Sequence, residues 1–161
     1  MRNVLTSGLL WFSALGCGLL AGVYFTFSAF VMTALGRIDQ AAGVSAMNAI
    51  NVDIVRSLFM PVFLGTTLSC AGLVVLGGLR WQEPGALAMI CGGGLYVVGM
   101  FVVTVVFNVP LNDQLAATDP ASTAAAPVWA RYLTDWTFWN HARTIASLAA
   151  TALLIAAIAA R

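Results

Sequence analysis

Residues 136–161 read WTFWNHARTIASLAATALLIAAIAAR, and this stretch decides the fold. From Trp139 to Ala160 it is a run of mostly apolar and small residues, about the 20 or so that a membrane-spanning helix needs. Yet it opens on Asn140, His141 and Arg143. The whole chain of 161 residues is 61% hydrophobic and only 8% charged, with a mean hydropathy of +0.94. Soluble domains carry roughly 25% charged residues, so an integral membrane protein is the class that fits. All seven cations are arginines. A chain this sparing of charge needs a reason to set one at the mouth of a span.

Working outward, three more stretches are long and apolar enough to cross a bilayer. They cover about residues 4–35, 54–79 and 85–109, with the fourth at about 139–160. Lipid offers no hydrogen bonds, so each must be a helix, and no alternating strand pattern suggests a barrel. The expected fold is an all-α four-transmembrane-helix bundle, a single membrane domain over 1–161, with two longer, partly helical connections on one side. The tight RWQEPG turn at residues 80–85 joins the second and third spans. Of the longer connections, DQAAGVSAMNAI (39–50) predicts a short surface helix capped by Asp39. DPASTAAAPVWARYL (119–133) places Asp119 as an N-cap and Pro120 at a first helical position. Pro110 is expected to end the third helix at Val109.

With four spans, both termini and the 80–84 turn share one side, and both long connections share the other. Asn48, Asn51, Asp53, Arg56, Asn108, Asn112, Asp113, Asn140, His141 and Arg143 therefore converge on that second side. Arg56 and Arg143 are the costly placements, since an arginine at the centre of a span costs about 2.5–3.5 kcal/mol on insertion scales. Either can instead snorkel to headgroups from a helix end. Asn108 follows a long β-branched run and needs a partner at membrane depth, whereas Asn112 could simply serve the turn around Pro110.

At 100° per residue, Trp129, Tyr132, Trp136, Asn140 and Arg143 fall within a stripe about 60–80° wide. This could line a pocket for a flat aromatic ligand, or Trp129 and Tyr132 could belong to an interfacial belt. His141 points roughly 160° away from Arg143 on a regular helix, so the two meet only if the helix is broken nearby. In the first span Tyr24 and Ser28 share a face that could meet the cavity, and Gly18 with Gly22 offers a small-residue packing surface.

Cys17, Cys70 and Cys91 sit inside apolar runs without CxxC spacing and read as small buried hydrophobes. One histidine and no close carboxylate pair argue against a metal site. The charge of +1 and the lack of a basic run give no footprint for nucleic acid. Counting arginines, three on the terminal side and four on the other, leaves orientation nearly balanced, and the expectation is cytoplasmic termini.

Taken together, YFTFSAFVMTAL (24–35), AMNAIN (46–51), FNVPLND (107–113) and WARYLTDWTFWNHAR (129–143) resemble the anthrone oxygenase family of small four-helix membrane proteins. The resemblance extends from about residue 8 to 155. Its most specific parts are NVPLN, here Asn108–Asn112, and WNHxR, here Trp139–Arg143. One departure is Thr33, which follows Met32 where the family often has proline.

The resemblance implies a monooxygenase-like oxidation of an anthrone-type or other electron-rich aromatic polyketide by O2 without a cofactor, in a bacterial plasma membrane. In that scheme His141 would be the base and Arg143 the phenolate stabiliser. Asn108, Asn112 and Asn140 would bind ring oxygens, Trp136 and Trp139 would stack, and Arg56, Tyr24 and Ser28 would complete the substrate site. With a regular helix the base would fall elsewhere, to Asp53 or Asp113. The alternative is a non-enzymatic membrane protein that binds a lipid or quinone, or a subunit of a larger or homo-oligomeric assembly. Haem on His141 is a third option.

Overall fold

The computed structural model describes residues 2–161, with side chains from Val4 onward. Five helices follow one another: α1 (2–35), α2 (Gln40–Arg56), α3 (Phe59–Leu79), α4 (Ala86–Ala116) and α5 (Ala125–Ala159). All but α2 are long and apolar enough to span a bilayer. They pack in a closed ring, α1 against α5, α5 against α4, α4 against α3 and α3 against α1. The chain is an all-α membrane bundle. Both termini and the 80–85 turn meet at one end, where Thr6, Arg80, Glu83 and Arg161 line the same small crevice.

Several boundaries depart from expectation, each for a local reason. Residues 54–56 belong to α2, which Asp39 caps by accepting from the Ala42 amide at 3.0 Å. Ser57 then goes extended; its hydroxyl donates to the Ile54 carbonyl and accepts from the Phe59 amide, closing one helix and opening the next. Asp119 accepts from the Ala121 amide in a turn instead of capping a helix. α5 starts only at Ala125, with Pro127 in its first turn, where a missing N–H is tolerated.

Pro110 does not end α4. Val109 keeps helical dihedrals, φ −61° and ψ −47°, and the helix runs on to Ala116. The reason lies one turn earlier. Residues Thr104–Asn108 form a π segment, whose i→i+5 bonding shifts the ladder and widens the turn, giving the ring room. Other π segments occur at Phe27–Val31, Val97–Val102 and Tyr132–Trp136. All four lie in the half of the bundle that faces the long connections.

The other half is regular α-helix held by close approach. A Cβ on Gly93 would sit 2.6 Å from the Cys70 carbonyl oxygen, so α3 and α4 touch backbone to backbone there. Gly85 carries a left-handed φ of +82° and lies against the end of α5 at Ala157, which fixes the turn between α3 and α4. Gly16 lies tight against Thr66 and Gly18 faces Thr151 of α5 at ordinary contact distance, whereas Gly22 has open space around it. Cys17 and Cys70 are fully buried with their sulfurs 3.7 Å apart, whereas Cys91 is exposed on the outside of the bundle.

Candidate functional site

In the π-rich half the helices part around a cavity of about 340 Å³. Its walls come from every helix. Tyr24 and Phe27 project from α1, Phe59 and Phe63 from α3, Phe101 from α4 and Trp136 from α5. α2 lies across this region and contributes Met47, Ile50, Asn51, Ile54 and Val55. Against so much hydrocarbon and aromatic surface, only Asn51, Thr104, Asn112 and Arg143 add strongly polar groups. The volume sits in the lower part of the range for small-molecule sites, about 300–1,000 Å³.

Arg143 is the centre of this site. It is only 5% exposed and lies about 24 Å along the axis from Ala159 at 1.5 Å per residue, well inside the span. Its guanidinium carbon stands 4.5 Å from the centroid of the Tyr24 ring and 5.1 Å from that of Trp136. Nη2 donates to Asn140 Oδ1 at 2.6 Å, and Nη1 makes a long 3.4 Å contact to Thr104 Oγ1. Nε has no hydrogen-bond partner. The ion pairs among the described residues are Arg80–Glu83 and Arg131–Asp135, so no carboxylate balances Arg143. Cation–π contacts of up to about 2 kcal/mol when desolvated offset part of the several kcal/mol that burying an ion costs. No carboxylate among the described residues pairs with the charge.

The groups around Arg143 are themselves held in place. Asn140 donates to the Tyr24 carbonyl at 2.7 Å and to Ser28 Oγ at 2.6 Å, reaching into the widened turn of α1. Of these two partners, Ser28 lies in the π segment and Tyr24 in the last turn of regular helix before it. The Asn140 side-chain oxygen is then left free to face Arg143. Tyr24 donates its hydroxyl to Met100 Sδ at 3.3 Å, and the Thr104 hydroxyl donates to the Met100 carbonyl at 2.7 Å. Higher up, Asn51 donates to the Tyr132 hydroxyl at 3.4 Å, and that hydroxyl donates to Asn112 Oδ1 at 2.8 Å, tying α2, α5 and α4 together at the polar rim.

The aromatic stripe of α5 is buried: Trp129, Tyr132 and Trp136 stack with centroids 5.7 and 5.6 Å apart. Trp129 and Tyr132 are therefore not an outward-facing belt. The π segment at Tyr132–Trp136 keeps the stripe on the inner face over this length.

The structure divides the sequence-derived candidates. Tyr24, Asn112, Trp136 and Arg143 line the cavity, with Asn140 and Ser28 directly behind them. Asn108 is buried but ties α4 to α5, its amide donating to the Trp136 carbonyl at 3.1 Å. Trp139 turns away and stacks on Phe107 with centroids 3.7 Å apart. Arg56, Asp53, Asp113 and His141 are exposed and do not line the cavity. The helix is regular from Thr137 onward, so His141 stays on the face opposite Arg143. Sequence does not single out Thr104, and it groups Asn51 at the rim without a role. Thr104 gives little signal inside a β-branched run; Asn51, three residues after Asn48, repeats an amide at helical spacing.

The sequence model described as anthrone oxygenase matches residues 53–153, well over half the chain. The chain belongs to the anthrone oxygenase family. The matched region holds Thr104, Asn112, Trp136, Asn140 and Arg143, while Tyr24, Ser28 and Asn51 precede it. No curated protein and no solved structure matches the chain.

Proposed function

We propose that this anthrone oxygenase family member oxidises an electron-rich, anthrone-type aromatic with O2, without a cofactor, inside the bilayer. The observation that carries the reading is a buried arginine without a counterion at the inner wall of an aromatic cavity. A ring system fits among Tyr24, Phe27, Phe59 and Trp136, and its oxygen meets Arg143. Loss of one proton from the central methylene leaves an anion delocalised onto that oxygen. Arg143, fixed beforehand by Asn140 and the two rings, stabilises it at no reorganisation cost. The anion gives one electron to O2, the radical pair combines at the former methylene carbon, and the resulting peroxide takes up a proton. Loss of the second C–H proton with cleavage of the O–O bond then yields the quinone carbonyl and water.

Among the described residues lining the cavity there is no histidine, aspartate, glutamate or lysine. The proton therefore goes to water at the Asn51–Asn112 rim, and the part of the chain is to make the ligand more acidic, not to supply a base. His141 has no role in this scheme. The same lack of a proton acceptor favours a second reading, a carrier of phenolic or quinone-like lipids. Oxygen uptake with 1,8-dihydroxyanthrone in lipid nanodiscs separates them. Wild type should consume oxygen and Arg143→Met should lose at least 100-fold, with His141→Gln unaffected. Equal rates for wild type and Arg143→Met would remove the oxyanion role; binding without uptake would leave the carrier. The setting we infer is a bacterial plasma membrane with cytoplasmic termini, the end that carries Arg2, Arg80 and Arg161 with a single acid, Glu83.

A further inference from the structure

The cavity has two unlike ends. Arg143 closes the inner one. At the other, Val55 of α2, Leu64 of α3, and Val105 and Val109 of α4 line the cavity while being between 40% and 56% exposed. These four form a lip without a single polar side chain. Leu64 and Val105 lie within helices of spanning length, so the lip opens on the flank of the bundle, toward acyl chains and not toward water. α2 continues the same surface: Val52 and Val55, three residues apart, are exposed, with Arg56 exposed beside them and Leu58 exposed in the link to α3. That pattern suits a helix end resting in the interfacial layer, its arginine reaching the headgroups.

The geometry points to lateral access. The ligand is a flat aromatic phenol or enol already dissolved in the bilayer, and it passes in neutral form between α2–α3 and α4 under the Val55/Leu64/Val105/Val109 lip. It becomes anionic only on reaching Arg143. This rests on the functional reading above, because it takes Arg143 as the ligand's destination. A neutral ring crosses an apolar lip without penalty, whereas an anion approaching that way would leave water with nothing to replace it. The polar rim at Asn51 and Asn112, one helical turn beyond Val55 and Val109, then serves for water and protons.

The test uses the full chain in nanodiscs, in a Cys91→Ser background since Cys17 and Cys70 are buried. Cysteine is placed singly at Val105 on the lip, at Asp113 beside the polar rim, and at Ile145, which is 67% exposed on the outside of α5. Each is labelled with N-cyclohexylmaleimide. Binding of 1-hydroxypyrene is followed by quenching of tryptophan fluorescence, counting only the signal that Arg143→Met abolishes. A label at Val105→Cys should slow association at least tenfold. Labels at Asp113→Cys and Ile145→Cys should change it less than twofold, and a membrane-impermeant sulfonated thiol reagent should modify Asp113→Cys but not Val105→Cys. Slowing at Asp113→Cys with none at Val105→Cys would overturn the lateral route and leave the Arg143 site standing. No Arg143-dependent binding in the unlabelled protein would remove both together.

Discussion

The two halves of the bundle solve the same problem of satisfying polar groups in lipid in opposite ways. Toward the termini the helices are regular, small residues let backbones touch, as at Gly93 on Cys70, and the core of Leu10, Cys17, Leu20, Leu73 and Leu154 is sealed. Toward the long connections four π segments interrupt the same helices, and the space they help to open holds a buried cation among aromatic rings. Each widened turn sacrifices ladder regularity, which costs stability, and π-bulges often accompany functional sites for that reason. The sealed half holds the bundle together so that the open half can carry an unbalanced charge. Substitutions should therefore register as lost stability in the first and as lost turnover in the second.

The largest effect expected is at Arg143. Arg143→Met keeps a flexible unbranched chain as far as the Nε position but removes the charge. Activity with 1,8-dihydroxyanthrone should fall at least 100-fold. Thermal stability should hold or rise, because replacing buried ionic groups by apolar ones is often neutral or stabilising by about 1–4 kcal/mol. Opposite signs in the two readouts are the signature of a charge kept for function. A parallel fall in both, seen in a melting curve beside the oxygen electrode, would make Arg143 a structural residue and erase the contrast.

Gly93→Ala probes the other half. The added methyl meets the Cys70 carbonyl at 2.6 Å and Val74 at 2.9 Å, and overpacking of this kind costs about 1–3 kcal/mol. The melting temperature should drop while the rate per folded molecule stays the same. If the rate falls with folding intact, the sealed half is coupled to the site and the division is too simple.

What the sequence made legible follows the same line. The four spans and their shared polar end could be read because hydropathy and span parity are set by the bilayer, a strong and uniform solvent. Arg143 and Trp136 could be read because an aromatic stripe that ends in a cation is expensive to hold in lipid unless the interior of the bundle uses it. The π segments could not. They go with contacts between helices, as where Asn140 reaches Ser28 in α1 and Asn108 reaches Trp136 in α5, and no local pattern announces such pairings. Pro110 misleads for this reason, since its usual helix-ending effect is relieved by the widened turn before it. Residues 125–138 resemble a connection because Asp135 and Arg131 are polar, yet they pair with each other at 3.0 Å on the outer face of a helix whose inner face is aromatic.

Asn108 tests the frame of the open half. Its amide bond to the Trp136 carbonyl joins two π segments, and it faces no ligand. Asn108→Leu leaves that carbonyl unpaired in a buried setting, a loss of about 1–3 kcal/mol, and should loosen the Trp136 ring by a small amount. A modest fall in melting temperature with a change in rate of a few-fold is expected. A loss approaching that of Arg143→Met would mean that Asn108 turns to meet the ligand, and the site would have to be redrawn around it.

The smallest effect is expected where the sequence drew the eye first. His141 neighbours Arg143 in the chain by two residues, which on the regular helix from Thr137 places it on the opposite, exposed face. No described wall of the cavity includes it. His141→Gln preserves approximate size and hydrogen bonding while removing the imidazole. Rate and melting temperature should match wild type within error between pH 6 and 8. A rate that falls at least tenfold in this variant would mean that α5 breaks or rotates during turnover to bring the imidazole inward. The open half would then be a moving part, and the regular geometry of residues 137–143 only one of its states.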